Sequence, residues 1–394
     1  TSATGTFVLA AGLGGVLATG DVCVLRKFVE ASGIAAALEE AYIERPMGRV
    51  NFAFGDGLRG PRSGSFSFAT HVYPSGSLAA AGSKANASVL SGLFAACGYV
   101  ETINTSCTVG VGSTTGAVKI ATGSWENLSV GAMVVWNGNP AWITSLADGA
   151  AAEDTVNITP ALPLAPAASD VLYATRMYAK STSAEVYGCG FEWEVDGVRH
   201  TVTGCMGNVA LQDGDPLTMA WQFQVDQHVV DLEPAPYNAG AAYTTAQPVL
   251  AADRVAWVDT TKTSIAGFTA SLNTTFAPKN IQGADGVNGR SAFQLTGIAA
   301  GCTWRELLNS ATTSLPQLLR WLARTAVDLK VAFDSHGRTV GLRVPVARHR
   351  ERPNVTDDGG LAATPNVMQA QDAGTATDGA SAVQKVPDFS IHIA

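Results

Sequence analysis

Acidic side chains recur at alternate positions in two short stretches of the sequence. The first row is Glu192, Glu194 and Asp196, and the second row is Asp328, Lys330 and Asp334. A glycosidase needs two carboxylates that face each other across a cleft, whereas alternate residues of a strand project from one face of a sheet. The spacing therefore predicts a solvated face of an antiparallel sheet, with a function only if that face lines a passage.

Four arginines lie close together near the end of the chain. They are Arg343, Arg348, Arg350 and Arg352. A basic run of this kind is typical of a phosphate-binding patch, but Glu351 lies inside it and the net charge of the chain is -8. We therefore interpret the arginines as residues that form ion pairs between subunits.

No catalytic motif occurs in the sequence. The glycine runs lack the spacing of a dinucleotide loop or of a phosphate loop, and neither a zinc-protease helix nor a nucleophile elbow is present. The six histidines are scattered, and no two of the six cysteines form a C-x-x-C pair. The sequence predicts a protein that is not an enzyme, with no metal and no cofactor.

Alternating apolar and polar residues predict the elements that carry these rows. Phe191–Val195 alternates strictly, and Asp196-Gly197 is a hairpin turn signal before the next strand, Val198–Thr203. Only two helices are predicted, at about 84–97 and about 314–325. The second begins at Ser314 and is expected to bury Leu315, Leu318, Leu319 and Leu322. The fold class is all-β with minor α.

The order strands, helix, hairpin occurs twice, which indicates an internal repeat. Phe191–Asp196 aligns with Leu329–Asp334, and Val198–Thr203 aligns with Arg338–Val344. The predicted first unit comprises residues 45–107 and 177–247, and the second comprises 248–394. Residues 108–176 are predicted to form an inserted small β-barrel, residues 1–44 an N-terminal arm, and residues 356–381 a long loop.

Charged residues are scarce along the whole chain. They make up 15% of the 394 residues, against about 25% in an average globular protein. A folded chain with so little surface charge is expected to bury much of its surface against other chains. The acidic balance argues against a nucleic-acid grip, which depends on basic patches.

Several stretches, taken in order, carry a resemblance to a known family. They are Gly55–Gly64, the helix end Phe94–Tyr99, the hairpin Phe191–His200, the glycine-containing segment Thr203–Gly207, and the strand Leu217–Val225. In this order they resemble tail tube proteins of long-tailed bacteriophages. The resemblance covers both repeats and implies two β-sandwich or barrel units, each with one flanking helix.

The resemblance also implies a function. Such units close into rings, and the rings stack into a tube that conducts viral DNA during ejection. A chain with two units implies trimeric, pseudo-hexameric rings, with hexameric rings as the alternative. The implied partners are other copies of the chain, the tape measure protein and tail-end proteins, with DNA passing without specific binding and no membrane. The implied location is the virion tail, after assembly in the host bacterial cytoplasm.

The acidic rows acquire a role in this interpretation, because acidic groups in a bore would repel phosphates and let DNA slide. The candidate lumen-lining residues are Glu192, Glu194, Asp196, Asp226, Asp328, Lys330 and Asp334, and we expect Gln222 and Gln224 on the same face. The arginines 343, 348, 350 and 352 are the candidate contacts between subunits.

The alternative is an extracellular adhesin or carbohydrate-binding β-protein. In that case Trp125, Trp136 and Trp142 of the inserted segment would be sugar-stacking sites. We expect no secretion signal, because no Lys or Arg precedes the first apolar run.

Overall fold

The computed structural model describes most of the chain. The described residues are 31–45, 55–74, 78–86, 90–149, 153–180, 188–195, 198–225, 227–232, 248–250, 254–280, 290–307, 314–335, 338–354, 356–358, 361–377 and 383–393.

The first half of the chain contains two long strands, one helix, an inserted segment and a group of five strands. Before the insertion lie β1 (Ser32–Arg45), β2 (Gly55–His71), α1 (Ser91–Ala96) and β3 (Tyr99–Ile103). The inserted segment contains β4 (Cys107–Thr108), β5 (Ala117–Ile120), β6 (Met133–Trp136), β7 (Asn139–Ala147), β8 (Asp154–Thr159) and β9 (Val171–Ala174), with a 3-10 turn at Ser124–Asn127. After it come β10 (Arg176–Lys180), β11 (Cys189–Val195), β12 (Val198–Gln212), β13 (Thr218–Val225) and β14 (Gln227–Leu232).

The second half repeats the order of two long strands, a helix and a hairpin, without the insertion and without counterparts of β3 and β10. Its elements are β15 (Arg254–Val258), β16 (Thr261–Thr263), β17 (Ile265–Asn280), β18 (Arg290–Leu307), α2 (Ser314–Ala323), β19 (Val327–Ser335), β20 (Arg338–His349), β21 (Thr356–Asp358), β22 (Leu361–Ala370), β23 (Thr375–Thr377), β24 (Val383–Lys385) and β25 (Ser390–Ile393). Strands dominate and the described chain has two α-helices, which confirms the predicted fold class of all-β with minor α.

Period-two patterning forms the strands, as β13 illustrates. Met219, Trp221 and Phe223 are buried, while Gln222 and Gln224 between them are exposed. Alternate side chains of a strand project to opposite faces, so one face of β13 enters the core and the other faces solvent.

The two hairpins of the repeat share the same irregularity in their strand pairing. Both β11–β12 and β19–β20 contain one register shift at the same place. The pairs that flank it are Phe191–Val202 and Cys189–Cys205 in the first half, and Leu329–Val344 and Val327–Ala347 in the second. Because a bulge bends its strand, β12 and β20 both pass from one layer of a sandwich to the other.

A continuous antiparallel sheet runs through both halves. Its pairings follow the order β1, β2, β13, β12, then β17, β18, β22, β20. Over it lies a second layer, because the Phe191 ring is 5.0 Å from Phe66 and 4.9 Å from Phe223. In the first half this layer comprises β11, the start of β12 and β14; in the second, β19, the start of β20 and β25.

The inserted segment, Cys107 to Ala174, forms a sheet of its own, and we call it the inserted domain. Its six strands are ordered β4-β9-β6-β7-β8-β5, and a bridge between Val109 and Ile120 joins the last strand to the chain next to β4. Val118, Ile120 and Val156 belong to its separate core. The insertion therefore has a closed strand arrangement, which removes the exposed edges that a small sheet would otherwise have.

Several boundaries differ from the sequence expectations. Residues 32–45 are a strand and not part of an arm, and residues 361–370, expected in a loop, are β22, which lies between β18 and β20. Neither segment shows a clear alternation of apolar and polar residues, which hid both strands. Helix α1 begins at Ser91, while Lys84 pairs with Thr105. No helix in the described part of the chain is both long and apolar enough to span a membrane.

Candidate functional site

The joint between the two halves is a stretch of ordinary sheet. Val209–Gln212 of β12 pairs with Thr269–Leu272 of β17. Beyond the ladder, the hydroxyl of Thr274 donates to the carbonyl oxygen of Gly207 at 2.7 Å. A Cβ at Gly207 would lie 2.7 Å from the Cα of Phe223 and would overlap the carbonyl oxygen of Gln222. Glycine is therefore required where β12 enters the continuous sheet.

Strand β1 is a free edge of this sheet. Among the described residues it pairs only with β2, and every residue from Ser32 to Ala37 is exposed. Ile34 is 45% exposed, and the stretch carries no charge. Natural proteins protect edge strands with charges, prolines or bulges; residues 32–37 contain no charge and no proline, and they have one register shift, between Ser32 and Ala35.

A second free edge lies at the other end of the same sheet. The backbone N–H of Arg350 donates to the carbonyl of Val367 at 2.8 Å, which continues the pairing of β20 with β22 by one residue. Glu351 and Arg352 follow and are exposed. Within the described chain no strand pairs with residues 350–354 on the side away from β22.

The repeat gives the register of these two edges. Gly207, Phe223 and Phe66 lie side by side in the first half, as do His349, Met368 and Cys302 in the second. This alignment agrees with the position of the bulge in each hairpin. It makes Glu351–Asn354 the equivalent of Val209–Gln212, and Ala35–Leu38 the equivalent of Thr269–Leu272. The free edges are thus the counterparts of the two segments that pair at the internal joint.

The first acidic row is separated from the glutamines expected beside it. Phe191 packs against the continuous sheet, so Glu192 points away from it and is exposed on the outside of the second layer. Gln222 and Gln224 are exposed on the other surface of the sandwich, and they pair with Ser67 and Ser65 of β2. The expectation that Glu192 and these glutamines share one face is wrong, because the bend in β12 carries them to opposite sides of the sandwich.

The second row is not a solvated face. Lys330 is 1% exposed, and its Nζ lies 2.7 Å from Oδ2 of Asp328 and donates to the carbonyl of Asp259 at 2.9 Å. Burial lowers the pKa of Lys330, and the adjacent Asp328 opposes that shift. The prediction of a wet row is therefore wrong for Lys330, because the inserted domain packs over this face of β19, with Met133 and Trp142 against Ala332.

Arg343 belongs to the same buried cluster. It binds both carboxylate oxygens of Asp328, at 3.2 Å and 3.0 Å, and Nη1 donates to the carbonyl of Ile143 in the inserted domain at 3.3 Å. Its side chain is 7% exposed. Arg343 therefore makes a contact within the chain and holds the inserted domain to the second half, contrary to the expectation of a contact between subunits.

The remaining predicted residues have varied positions. Arg348, Arg350 and Arg352 are exposed on and just beyond the free end of β20. Glu194 lies in β11 and Asp334 in β19. Asp196 and Asp226 fall outside the described residues.

Of the three tryptophans in the inserted domain, Trp142 is inaccessible to a sugar. Trp142 is fully buried between the inserted domain and the second half. Trp125 and Trp136 are partly buried, and Nε1 of Trp136 donates to Asp170 at 3.0 Å. The stacking role expected for Trp142 is therefore wrong.

His392 is a structural residue that sequence reasoning missed. It is fully buried; its Nδ1 accepts the backbone N–H of Met133 at 3.2 Å, and its Nε2 lies 2.9 Å from Oγ of Ser390. Burial, assisted by the nearby Arg343 charge, lowers the pKa of His392 to about 3. A neutral imidazole therefore connects the last strand to the inserted domain.

The described residues contain no group of three His, Cys, Asp or Glu side chains that could hold a metal ion. Glu101 accepts from Ser91, Tyr178 and Arg176, and these bonds together outweigh burial and lower its pKa. Glu101 is therefore a structural carboxylate that accepts hydrogen bonds from these neighbours.

The chain matches no protein-family model, and no curated protein sequence matches it. The sheet edges and faces are therefore the features that bear on function.

Proposed function

We propose that this chain is the structural subunit of a phage tail tube. In this proposal copies join edge to edge into rings, the rings stack, and the lumen conducts viral DNA during ejection. The partners are further copies, the tape measure protein and tail-end proteins. The location is the virion tail, after assembly in the bacterial cytoplasm.

The observation that carries the proposal is the repetition of the joint. One half of the chain already pairs with the other through Val209–Gln212 and Thr269–Leu272. Among the described residues, the counterparts of both segments are unpaired at opposite ends of one sheet, at Glu351–Asn354 and Ala35–Leu38. A heterologous contact that repeats closes into a ring when its rotation divides a full turn. Repeating the internal joint between chains therefore gives a ring of alternating halves, which with three chains is pseudo-hexameric.

The proposed contact has a defined register. Ala37 of one copy would lie opposite Arg352 of the next, and Ala35 opposite Asn354, as Ser271 lies opposite Ala210 and Thr269 opposite Gln212 within the chain. Pro353 has no N–H, so this ladder has one donor fewer than the internal one. Proline is tolerated in edge strands, which suits a segment that pairs only on assembly.

The bore in this proposal is the exposed face of the continuous sheet. That face lies opposite the layer that carries the inserted domain, and its exposed side chains include uncharged ones at Ser65, Gln222, Gln224, Asn273 and Thr275. Uncharged groups release no counterions from DNA, so they favour passage over binding.

Arginines are also exposed on this face in the second half, at 305 and 348. In this proposal these arginines would attract phosphates, whereas the uncharged side chains around them would not. The acidic row at Glu192 lies on the opposite surface, so in this proposal it faces outwards.

The experiment uses proline at two neighbouring positions of β1. Consecutive strand residues direct their N–H groups to opposite sides, so Ala36→Pro and Ala37→Pro each remove one donor, one facing β2 and the other facing the proposed neighbour. We expect the unmodified protein to form rings and tubes in negative-stain images. We call the proline that removes the donor towards the neighbouring copy outward-facing, and the one that removes the donor towards β2 inward-facing. We expect the outward-facing proline to prevent assembly while circular dichroism and thermal stability stay near those of the unmodified protein.

The inward-facing proline is the matched control for damage to the fold, because it weakens β1–β2 pairing. A monodisperse monomer that forms no rings at any protein concentration would refute the proposed function. Rings formed equally well by both proline variants would refute the proposed joint.

A further inference from the structure

Helix α2 is held to the second half by one side only. The side chain of Gln317 is buried; its Nε2 donates to Glu306 at 2.8 Å and its Oε1 lies 3.1 Å from Nε2 of His349. On the other side, Leu319 is 52% exposed and Leu322 is 62% exposed. The sequence pattern predicted both leucines in the core, so their exposure needs an explanation.

The internal repeat explains the exposure of Leu319 and Leu322, because α1 and α2 end in the same way and can be aligned. The N–H of Gly98 donates to the carbonyl of Ala95, and the N–H of Arg324 donates to the carbonyl of Trp321. Gly98 and Arg324 both have positive φ, at 81° and 53°. Aligning these ends makes Leu93 the equivalent of Leu319, and Ala96 the equivalent of Leu322.

The equivalent positions in α1 are covered. Leu93 is 7% exposed and Ala96 is fully buried. Phe94, the equivalent of Arg320, stacks on Tyr178 of β10, with ring centroids 4.4 Å apart, and lies 5.4 Å from Tyr99 of β3. Leu93 and Ala96 are therefore buried within the first half, and α1 lies beside β3 and β10 through Phe94.

Strand β10, which Phe94 of α1 contacts, is part of the joint between the halves. Strand β10 pairs with β3 on one side and with β25, from the second half, on the other. In the second half, β19 begins at Val327, so no equivalent of β3 and β10 lies between α2 and the hairpin. Helix α2 thus occupies the position of α1, at the end of the chain that would face the next copy.

We propose that Leu319 and Leu322 dock against the first half of the neighbouring copy, around its β14. Strand β14 is the counterpart of β25, because it pairs with the start of β12 as β25 pairs with the start of β20. The occupant is a second copy of this chain, and the inference rests on the proposed ring. It adds a second contact, in the outer layer, to the edge pairing of the continuous sheet.

The first test replaces Leu322 with a photo-crosslinking amino acid, and the matched control places the same residue at Leu164, which is 68% exposed on the inserted domain. Crosslinks are mapped by mass spectrometry in a mixture of isotopically light and heavy protein. We expect Leu322 adducts between chains that map to residues 227–232 or their immediate neighbours. Adducts within one chain, or to the second half of another chain, would overturn the inference.

The second test compares Leu319→Ser with Leu322→Ser, alone and together, using Leu164→Ser as the control. We expect the double variant to remain folded and to need about tenfold more protein for ring formation, because two leucines lose their apolar burial. Unchanged assembly of the double variant in a protein that forms rings would overturn the docking contact and leave the proposed function standing. Absence of rings from the unmodified protein would overturn both.

Discussion

Lowering the pH should weaken the contact between the inserted domain and the last strand through His392. Its Nδ1 accepts the N–H of Met133, so the imidazole must be neutral in the folded protein. Protonation would place a cation near Arg343 in a fully buried position. We therefore expect folding to oppose proton binding at this residue.

The magnitude follows from the shift in pKa. The folded pKa of His392 is about 3, against an ordinary value of 6.5. Between these values the unfolded state binds more protons, so stability falls as the pH falls from about 6.5 towards 3. From pH 7 to pH 5 the loss is about 2 kcal/mol, because each unit below the unfolded pKa contributes about 1.4 kcal/mol.

The assay is urea unfolding at pH 7 and pH 5, with His392→Asn as the comparison. The amide oxygen of asparagine can accept the Met133 N–H but takes up no proton. His349, whose pKa burial lowers to about 4, adds the same dependence to both proteins and cancels. We expect the unmodified protein to lose about 2 kcal/mol more than the variant over this range. Equal losses in the two proteins would refute the argument.

Two further predictions concern the fold. Gly207→Ala should destabilise the protein by more than about 3 kcal/mol in urea unfolding, because its Cβ meets the backbone of β13. Gly92→Ala in α1 is the control, since nothing lies within 4 Å of its Cβ; stability should be unchanged or rise by up to about 1 kcal/mol. Asp328→Ala should cost about 3–5 kcal/mol because it leaves two buried cations without their carboxylate. A loss below about 1 kcal/mol would show that water reaches this cluster.

The sequence predicts the strongly alternating parts of this fold well. The β11–β12 and β19–β20 hairpins pair as their alternation and turn residues indicate. The strands of the inserted domain also lie where short apolar runs predict them. In each case local patterning and the final environment agree, because one face of the strand is buried within the same unit.

Strands β1 and β22 were missed for the opposite reason. The described start of β1 is exposed on both faces, so no alternation marks it. Strand β22 contains Pro365 and several alanines, and only its neighbours β18 and β20 make it a strand. Segments whose structure depends on pairing partners far along the chain carry little local signal.

The acidic rows failed as predictions for a further physical reason. Alternation shows that two residues share a face, but not which surface of the molecule that face becomes. Glu192 and Lys330 occupy equivalent strand positions under the bulge alignment. Glu192 is exposed and Lys330 is buried under the inserted domain, so a tertiary contact determines which of the two equivalent positions reaches solvent.

This difference between equivalent positions indicates where the repeat is constrained. In the continuous sheet both halves keep the same strand order and equivalent registers. In the outer layer they diverge, because only the first half has β3, β10 and the insertion, and only the second has the Lys330 cluster beneath it. The proposed ring of alternating halves would require uniform joints along the continuous sheet but would tolerate different outer surfaces. The divergence of the outer layer is therefore what duplication followed by decoration would produce in a protein whose shared task lies on the continuous sheet.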